Sequence, residues 1–397
     1  MLISERCRNI NPSATLVIAE QAQALKSSGQ DIIFMNAGQP DVDTPLHIKA
    51  AAMEGIQEGV TKYTSVGGTT ELKKAIIEKF QRENELNYDI SEVMASTGGK
   101  QAIYNAFMAT LNKGDEVIIQ APYWTSYPEM IKLAGAEPVI IPTTQANNFK
   151  IKGQQLAKAI TPYTKMVIIN SPSNPTGTYY DEEDLQMLAN VLVEHPKILI
   201  MSDDVYEKIL WGQDGFKNIV NVVPSFKDRT IIINSLSKTY AMTGWRLGYA
   251  AANAELIKAM IKVQSQTTSN PCSISQVAGI AALSKHSLQP INEMVSKYSS
   301  RFQYVCERVN KLPGVTMSAP SGAFYILPDM TDLIKSLKLK DDVALCSFFL
   351  EKASVSTVPG SAFGAPNHIR LSYVIGKSTI ETAFNRIEKA IEEALAE

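Results

Sequence analysis

The sequence predicts an α/β protein whose sheet is mainly parallel, for three reasons. Short runs of β-branched and other apolar residues alternate with longer helical stretches through the middle of the chain. These runs are apolar on both faces, which is typical of strands that helices cover on both sides. The chain has 397 residues, too many for one core of typical size, so a large domain with a smaller companion is expected.

The predicted strands and helices of the large domain follow one another in a regular order. The strands are EVIIQ (116–120), PVII (138–141), MVIIN (166–170), ILIMSDD (198–204), TIIIN (230–234) and LGYAA (247–251). The helical stretches between them include 99–111, 124–134 and 181–195. A series of strand, helix and strand is typical of a parallel sheet built from crossover units.

The two ends of the chain are predicted to form the smaller domain. A helix is expected over 15–26, and a final helix over 378–396 carries apolar residues at spacings of three and four, which form one buried stripe. We expect residues 1–48 to pack with a small domain formed by 286–397. The large domain then comprises residues 49–285.

Composition and charge argue against several classes of protein. Lys and Arg (38) nearly balance Asp and Glu (40), so neither nucleic acid nor an anionic membrane is expected as a partner. The four cysteines form no CxxC pair and the four histidines lack ligand spacing, so we expect reduced thiols and no metal site. No apolar run approaches the roughly 20 residues that cross a bilayer, and the first residues lack a secretory signal. A cytoplasmic protein is therefore expected.

Polar side chains follow three successive predicted strands. SPSNPTG (171–177) follows MVIIN, SDDVY (202–206) follows ILIM, and SLSK (235–238) follows TIIIN. Each segment alone is an ordinary turn or helix cap. Ligands of such sheets bind outside the carboxyl ends of the strands, however. An amide, a carboxylate with a phenol, and a lysine with hydroxyls at three strand ends therefore predict a common site.

These groups suit the chemistry of pyridoxal phosphate. A lysine whose surroundings lower its pKa can attack the cofactor aldehyde and later carry a proton, which is the role expected of Lys238. An acid must keep the pyridine nitrogen protonated, and Asp203 is suitably placed at a strand end. Tyr206 and Asn174 could donate to the ring oxygen and stabilise its anion.

The phosphate of such a cofactor needs hydrogen-bond donors and a fixed positive charge. Ser235, Ser237 and Arg246 flank the lysine in sequence. Gly98 and Gly99 lead directly into a predicted helix, whose N-terminus is a natural anion site. The GGKQ segment lacks the first glycine and the hydroxyl of a P-loop, and no GxGxxG occurs. Nucleotide and dinucleotide sites are therefore disfavoured.

The chain resembles the class I/II aminotransferases, pyridoxal phosphate enzymes of fold type I, in eight segments that occur in the family's order. They are PSAT, NAGQPD (36–41), KYTSVGG (62–68), PYWTSYPEM (122–130), NSPSNPTG, SDDVYE, SLSKTYAMTGWRLGY and HIRLSY (368–373). The likeness is greatest to bacterial aspartate aminotransferases of the branch that includes aspartate/prephenate aminotransferases. It implies a mainly parallel seven-stranded sheet in a large domain, and a smaller α+β domain formed by both chain ends.

The resemblance also implies roles for individual residues around the cofactor. Lys238 would hold pyridoxal phosphate as a Schiff base and act as the catalytic base. Asp203 would pair with the pyridine nitrogen, Tyr206 and Asn174 would bind the ring oxygen, and Trp124 would stack on the ring. The phosphate would be held by Gly98, Gly99, Ser235, Ser237 and Arg246, with Tyr63 supplied by the neighbouring subunit of a homodimer with shared active sites.

The substrate site follows from the same resemblance. Arg370 would hold the substrate's α-carboxylate, because a guanidinium pairs with a carboxylate through two parallel hydrogen bonds. Asn174, Trp124 and the backbone at Gly38 would complete that part of the site. The side-chain carboxylate of the substrate would be bound by Lys100 and Thr15, with Ser13 and Ser269 as weaker candidates.

The resemblance favours amino transfer between L-aspartate and 2-oxoglutarate, giving oxaloacetate and L-glutamate by a ping-pong mechanism. Prephenate-active members carry a lysine just before PSAT, whereas this chain has Asn11, which argues against strong prephenate activity. An aminotransferase for aromatic or neutral amino acids is the main alternative, and a pyridoxal phosphate-dependent lyase is a further one. A non-catalytic regulator would need a DNA-binding segment that the sequence does not show.

Overall fold

The computed structural model describes residues 2–12, 14–212 and 215–396. Its strands are β1 (Ile33–Phe34), β2 (Val93–Ser96), β3 (Glu116–Ala121), β4 (Glu137–Pro142), β5 (Thr164–Asn170), β6 (Leu199–Asp203), β7 (Thr230–Ser235), β8 (Gly248–Ala251), β9 (Tyr325–Ile326), β10 (Val355–Ser356), β11 (Val358–Pro359) and β12 (Ile369–Ser372). Its α-helices are α1 (Glu5–Arg8), α2 (Ala14–Ser27), α3 (Leu46–Gln57), α4 (Thr70–Asn84), α5 (Gly99–Thr110), α6 (Ser126–Leu133), α7 (Gly153–Ala159), α8 (Glu182–Leu192), α9 (Ile219–Val222), α10 (Leu236–Thr239), α11 (Ala254–Ser265), α12 (Ser273–Ala282), α13 (Leu288–Val309), α14 (Thr331–Ser336), α15 (Asp342–Ala353) and α16 (Lys377–Ala396).

A seven-stranded sheet in the order β2-β8-β7-β6-β5-β3-β4 forms the centre of the molecule's larger part. Strand β8 runs antiparallel to both of its neighbours, and the other pairs are parallel. Alternate residues of one strand belong to different apolar clusters, Ile232 to one and Ile231 and Ile233 to the other. Both faces of the sheet are therefore covered, and the predicted α/β class with a mainly parallel sheet is confirmed.

The parallel strands β5, β6 and β7 end at the same edge of the sheet. Asn170, the last residue of β5, pairs in register with Asp203, the last residue of β6. Asp203 in turn pairs with Ile233, two residues before the end of β7. The segments that follow these three strands therefore start side by side, as the sequence predicts.

A second apolar core contains residues from both ends of the chain. Ile33 and Met35 pack in it with Phe384 and Ile391 of α16. Strand β1 pairs in parallel with β10, and β11, β12 and β9 form a small antiparallel sheet. The N-terminal segment is thereby joined to the C-terminal part of the fold, which brings Arg370 of β12 towards the larger sheet.

Two further features of the described residues are the length and polarity of the helices and the state of the cysteines. None of the helices within the described ranges is both long and apolar enough to cross a lipid bilayer. The four cysteines are free thiols: Cys7, Cys272, Cys306 and Cys346.

Candidate active site

An open cavity of about 1070 Å³ lies at the carboxyl ends of the parallel strands. Its wall is formed by the segments after β5, β6 and β7, the first residues of α5, helix α2 and part of the second core. The predicted site residues that line it are Thr15, Gly38, Gly99, Lys100, Trp124, Asn174, Asp203, Tyr206, Ser235, Ser237, Lys238, Arg246 and Arg370. One cavity thus collects residues that are far apart in the sequence.

Lys238 occupies the short helix α10, directly after β7. Its ammonium nitrogen Nζ donates a hydrogen bond to the carbonyl oxygen of Gly38. Burial, together with the positive charges of Arg370 and Arg246, lowers the pKa of Lys238 to about 8. A large fraction of the amine is therefore neutral at mildly alkaline pH, as a nucleophile requires.

Asp203 is the last residue of β6 and is 5% exposed. The phenol of Tyr127 donates to its Oδ2, and the backbone N–H of Val205 lies 3.4 Å from its Oδ1. Burial raises the pKa of Asp203 to about 6, although both hydrogen bonds act in the opposite direction. A buried carboxylate of this kind has a strong preference for a cationic partner, such as a protonated ring nitrogen.

Arg370 lies on β12 and is 3% exposed. Its Nη1 donates to Asn174 Oδ1 at 3.0 Å and its Nη2 donates to the carbonyl oxygen of Asn36 at 2.9 Å. The guanidinium also stacks on Tyr325 and Phe363, with 4.5 and 5.0 Å to the ring centroids. Its Nε is buried without a hydrogen-bond partner in the described part of the chain. The cation is thus held by neutral groups alone, and a ligand carboxylate would complete its pairing.

The phenol of Tyr206 lies beside the same arginine. Its hydroxyl oxygen is 3.0 Å from that of Tyr325, and both residues line the cavity. Asn174 is placed by its own backbone N–H, which donates to Asn170 Oδ1 at 3.1 Å. The end of β5 and the turn after β6 therefore present an amide and a phenol to one cavity.

Ser235, Ser237, Arg246 and the start of α5 form a set of donors around one corner of the cavity. Ser235 Oγ accepts the backbone N–H of Ser237 at 3.1 Å and donates to Ser237 Oγ at 2.8 Å. Gly98, which precedes α5, has a φ of +82°, and a Cβ atom there would lie 2.3 Å from Arg246 Nη2. Only glycine leaves room for the guanidinium beside the helix N-terminus. Hydroxyls, a guanidinium and a helix N-terminus are the groups that bind a phosphate dianion, so they fit the phosphate of pyridoxal phosphate.

Trp124 and Lys100 form another part of the wall. The ring of Trp124 packs edge-on against Tyr127, with 5.3 Å between centroids, and Lys100 Nζ lies 5.0 Å from the Trp124 centroid. Thr15, on α2, faces the same cavity. A flat aromatic surface with a cation and a hydroxyl beside it can receive a planar ring and a second negative group.

Comparison with known proteins agrees with this geometry. The family described as aminotransferase class I and II matches residues 30–387. The chain belongs to the class I and II aminotransferases. Enzymes of this family use pyridoxal phosphate, so the predicted family, enzyme class and cofactor are confirmed.

Individual aminotransferases match the chain over nearly its whole length. The aspartate/prephenate aminotransferase of Nitrosomonas europaea is 47% identical over 393 residues, which cover 98% of this chain and 99% of that protein. The aspartate aminotransferase of Geobacillus stearothermophilus is 45% identical and covers 99% of both chains. The crystal structure of the aspartate aminotransferase from Rhizobium meliloti has a TM-score of 0.95 at 42% identity, with 99% of both chains covered. The fold type predicted from the resemblance is thereby confirmed.

Several predicted residues of the aminotransferase lie outside the cavity wall. Tyr63 is 92% exposed on the chain surface, and Gly98 lies behind Arg246. Asn11 donates through its backbone N–H to Glu129 Oε2 at 2.8 Å and through Nδ2 to Oε1 at 3.3 Å. Ser269 does not line the cavity, and Ser13 lies outside the described residues.

Sequence reasoning missed other residues of the aminotransferase site. Tyr127 lies three residues after Trp124 on the first turn of α6, so helical spacing could have placed both on one face. Asn170 ends β5 and could have been found by the rule that strand ends carry ligands. Asn36 is the first residue of the family segment NAGQPD, which could have drawn attention to it. Tyr325 comes from the second core, and nothing in its sequence context separates it from ordinary packed residues.

Proposed function

We propose that this aminotransferase transfers the amino group between L-aspartate and 2-oxoglutarate, giving oxaloacetate and L-glutamate by a ping-pong mechanism. The observation that carries the proposal is the buried guanidinium of Arg370, which opens on the cavity that contains Lys238 and Lys100. A dicarboxylic amino acid has one carboxylate for each of the two cations, Arg370 and Lys100. The names of the relatives from Nitrosomonas europaea and Geobacillus stearothermophilus support the same substrate.

Bound pyridoxal phosphate supplies an electron sink that stabilises negative charge on the substrate's α-carbon. Lys238 would hold the cofactor through Nζ, and its amine would move the proton from the substrate's α-carbon. Asp203 would keep the pyridine nitrogen protonated, while Tyr206 and Asn174 would donate to the ring oxygen. Trp124 supports the face of the ring.

Arg370 and Asn174 orient the α-carboxylate so that the α-hydrogen faces Lys238. The carbonyl of Gly38, which accepts from Lys238 Nζ, marks the position of the free amine. Lys100 and Thr15 bind the second carboxylate. Gly99, Ser235, Ser237 and Arg246 hold the phosphate, with Gly98 making room for the arginine.

We infer that the active enzyme is a homodimer with shared active sites. Tyr63 is almost fully exposed, and α3 nearby presents Leu46, Met53 and Ile56, which are 74%, 56% and 56% exposed. Apolar side chains exposed on one helix are typical of an interaction surface. Tyr63 would then reach the phosphate of the partner subunit's cofactor.

We further propose the division into residues 1–48, 49–285 and 286–397, and a cytoplasmic location. The division is supported by the apolar clusters, because one contains Ile33 and Met35 together with α16 and no strand of the large sheet. Tyr206, Ile209 and Trp211, which follow β6, also pack in this cluster and join the two parts. Four free thiols agree with a reducing compartment.

The proposal is tested by one half-reaction. L-aspartate is added to the holoenzyme without any 2-oxo acid, and oxaloacetate is measured with malate dehydrogenase. We expect one equivalent of oxaloacetate for each active site, a change in the cofactor's absorbance, and its reversal by 2-oxoglutarate. A response to L-phenylalanine or L-alanine that exceeds the response to aspartate would establish the alternative specificity. No response to any amino acid would overturn amino transfer.

Prephenate is a separate arm of the same assay, with L-glutamate as donor. We expect much slower turnover than with oxaloacetate, because Asn11 is engaged with Glu129 and supplies no cation to the cavity. Comparable rates for the two acceptors would show that Asn11 does not limit prephenate use.

A further inference from the structure

A fully buried ion pair lies beneath the active site and has no part in the chemistry described so far. Lys79 of α4 and Glu207 of the turn after β6 are 1% and 3% exposed, and Lys79 Nζ contacts Glu207 Oε1. Removing two charges from water costs about as much as their attraction returns, and apolar pairs in such places are often more stable. Stability alone therefore gives little reason for this pair.

Both carboxylate oxygens of Glu207 accept hydrogen bonds from neighbouring side chains. Asn84 Nδ2 donates to Oε2 at 2.7 Å, and Asn234 Nδ2 donates to Oε1 at 2.9 Å. Lys79 Nζ also donates to Asn84 Oδ1 at 2.8 Å. Burial alone would raise the pKa of Glu207, but Lys79, Lys208 and these hydrogen bonds hold it below the ordinary value. The carboxylate is thus ionised and fixed in orientation.

The network continues from Glu207 into the phosphate corner of the cavity. Asn234, whose amide nitrogen is held by Glu207, accepts the backbone N–H of Ser235 with its Oδ1 at 2.7 Å. Ser235 Oγ is in turn bonded to both the N–H and the hydroxyl of Ser237. An unbroken series of hydrogen bonds therefore runs from the ion pair to both serines.

Glu207 also sits on the turn that carries the residues around the cofactor ring. It follows Tyr206 directly, and its backbone N–H donates to the carbonyl of Asp204 at 2.9 Å. One carboxylate thus connects α4, the turn after β6 and the end of β7. These three segments must keep a constant spacing for the ring and the phosphate of the cofactor to be bound at the same time.

We propose that Glu207, oriented by Lys79 and Asn84, is a positioning residue that fixes Ser235 through Asn234 and so sets the geometry of the phosphate site. The inference rests on the proposed role of Ser235 in phosphate binding. Neither Glu207 nor Asn234 lines the cavity, so both act through other groups.

Asn234→Ala is the direct test, because it breaks the hydrogen-bonded connection between Glu207 and Ser235 and leaves no buried charge without a partner. Apoenzyme is titrated with pyridoxal phosphate and, separately, with pyridoxal, which lacks the phosphate. We expect the dissociation constant for pyridoxal phosphate to rise about tenfold, because charge-assisted hydrogen bonds are lost, while that for pyridoxal changes less than about twofold. The matched control is Asn105→Ala, another fully buried asparagine, which bonds Gln264 and not the serines. It should leave the ratio of the two constants unchanged.

A second variant removes the ion pair that orients Asn234 and, through it, Ser235. Lys79→Met with Glu207→Leu eliminates both charges and the acceptor for Asn234, so no lone charge remains buried. We expect the same selective loss of phosphate affinity, with a lower thermal midpoint of the apoenzyme, because the buried amides of Asn84 and Asn234 lose their partners. Where this double variant does not fold, Asn234→Ala still decides the question.

Ser235→Ala separates the inference from the function on which it rests. If Ser235→Ala weakens pyridoxal phosphate selectively but Asn234→Ala does not, positioning by the network is refuted and the phosphate role of Ser235 stands. If Ser235→Ala has no selective effect, the assignment of Ser235 itself is wrong. Equal losses for both ligands in Asn234→Ala would show a purely structural role.

Discussion

At the scale of single residues, burial is the common cause of the reactivity of this site. It lowers the pKa of Lys238 to about 8 and raises that of Asp203 to about 6, because low-dielectric surroundings disfavour either charge. Each residue would therefore be stabilised by a suitable partner. The lysine gains by reacting with an aldehyde, and the aspartate by facing a protonated ring nitrogen. Both preferences agree with the proposed binding of pyridoxal phosphate in this cavity.

The lowered pKa of Lys238 predicts the pH dependence of cofactor binding. Below about pH 8 the amine is mainly protonated, so the rate at which apoenzyme combines with pyridoxal phosphate should rise with pH and level off above pH 8. Stopped-flow absorbance measures this rate. Free Nα-acetyl-lysine, tested alongside, should continue to rise towards pH 10. Parallel profiles for the protein and the free amine would contradict the role of burial.

Lys100 should decide the substrate. Lys100→Ala should lower kcat/KM for L-aspartate by roughly tenfold to a hundredfold, the usual value of a charge-assisted contact, and affect L-alanine and L-phenylalanine much less. Lys26→Ala is the control, because Lys26 lines the same cavity from α2. Similar losses for all three amino acids would refute the binding of a side-chain carboxylate by Lys100.

At the scale of elements, the sequence predicts the central sheet well because each strand is short, apolar on both faces and followed by polar residues. The run MVIIN proves to be part of β5, and TIIIN is part of β7. Strand β2 was not predicted, since VMAS has little β-branched character. Nothing in the run LGYAA indicates that β8 is antiparallel to its neighbours.

The site could be predicted in part for the same reason. Lys238 and Asp203 lie at strand ends, where position along the chain and position in space coincide. Tyr325 belongs to a strand of two residues in another core. Its contact with Tyr206 joins residues 119 positions apart, and no local pattern encodes such a pairing.

Ionisation of Asp204, in the turn after β6, should measurably lower the stability of the protein. Burial raises the pKa of Asp204 from 3.8 to about 7, so its contribution to stability is full below about pH 4 and is lost as the pH rises through about 7. An asparagine can keep both partners, Ser202 and Asn218, without ionising. Asp204→Asn apoenzyme should therefore lose less thermal stability between pH 5 and pH 8 than the unchanged protein. Differential scanning fluorimetry measures the melting temperature of both proteins across this pH range. Identical slopes of melting temperature against pH would contradict the raised pKa of Asp204.

At the scale of the whole molecule, the active site is assembled from two cores. The larger sheet supplies Lys238 and Asp203, while the second core supplies Arg370 on β12. Under the proposed function, the cofactor and the substrate's carboxylate would be held by different parts of the fold. A displacement of one part relative to the other changes the distance between the amine of Lys238 and the substrate's α-carbon.

The proposed homodimer with shared active sites predicts complementation between two defective chains. Lys238→Ala and Tyr63→Ala chains are unfolded together and refolded as mixed dimers. A mixed dimer has one site with both defects and one intact site, so activity should recover to about a quarter of that of the unchanged enzyme. Lys238→Ala mixed with Asp203→Ala should recover nothing, because both residues belong to the same chain's site. Failure of the first mixture, with dimers demonstrated by light scattering, would show that Tyr63 serves its own chain.

The separation of Lys238 from Arg370 in the chain has a consequence for biosynthesis. Proteins emerge from the ribosome beginning at the N-terminus. The lysine, the ring partners and the phosphate donors are all complete once Arg246 has been made, whereas Arg370 belongs to a segment translated more than a hundred residues later. A nascent chain therefore contains the residues proposed to bind the cofactor well before it contains the arginine proposed to bind the substrate's α-carboxylate.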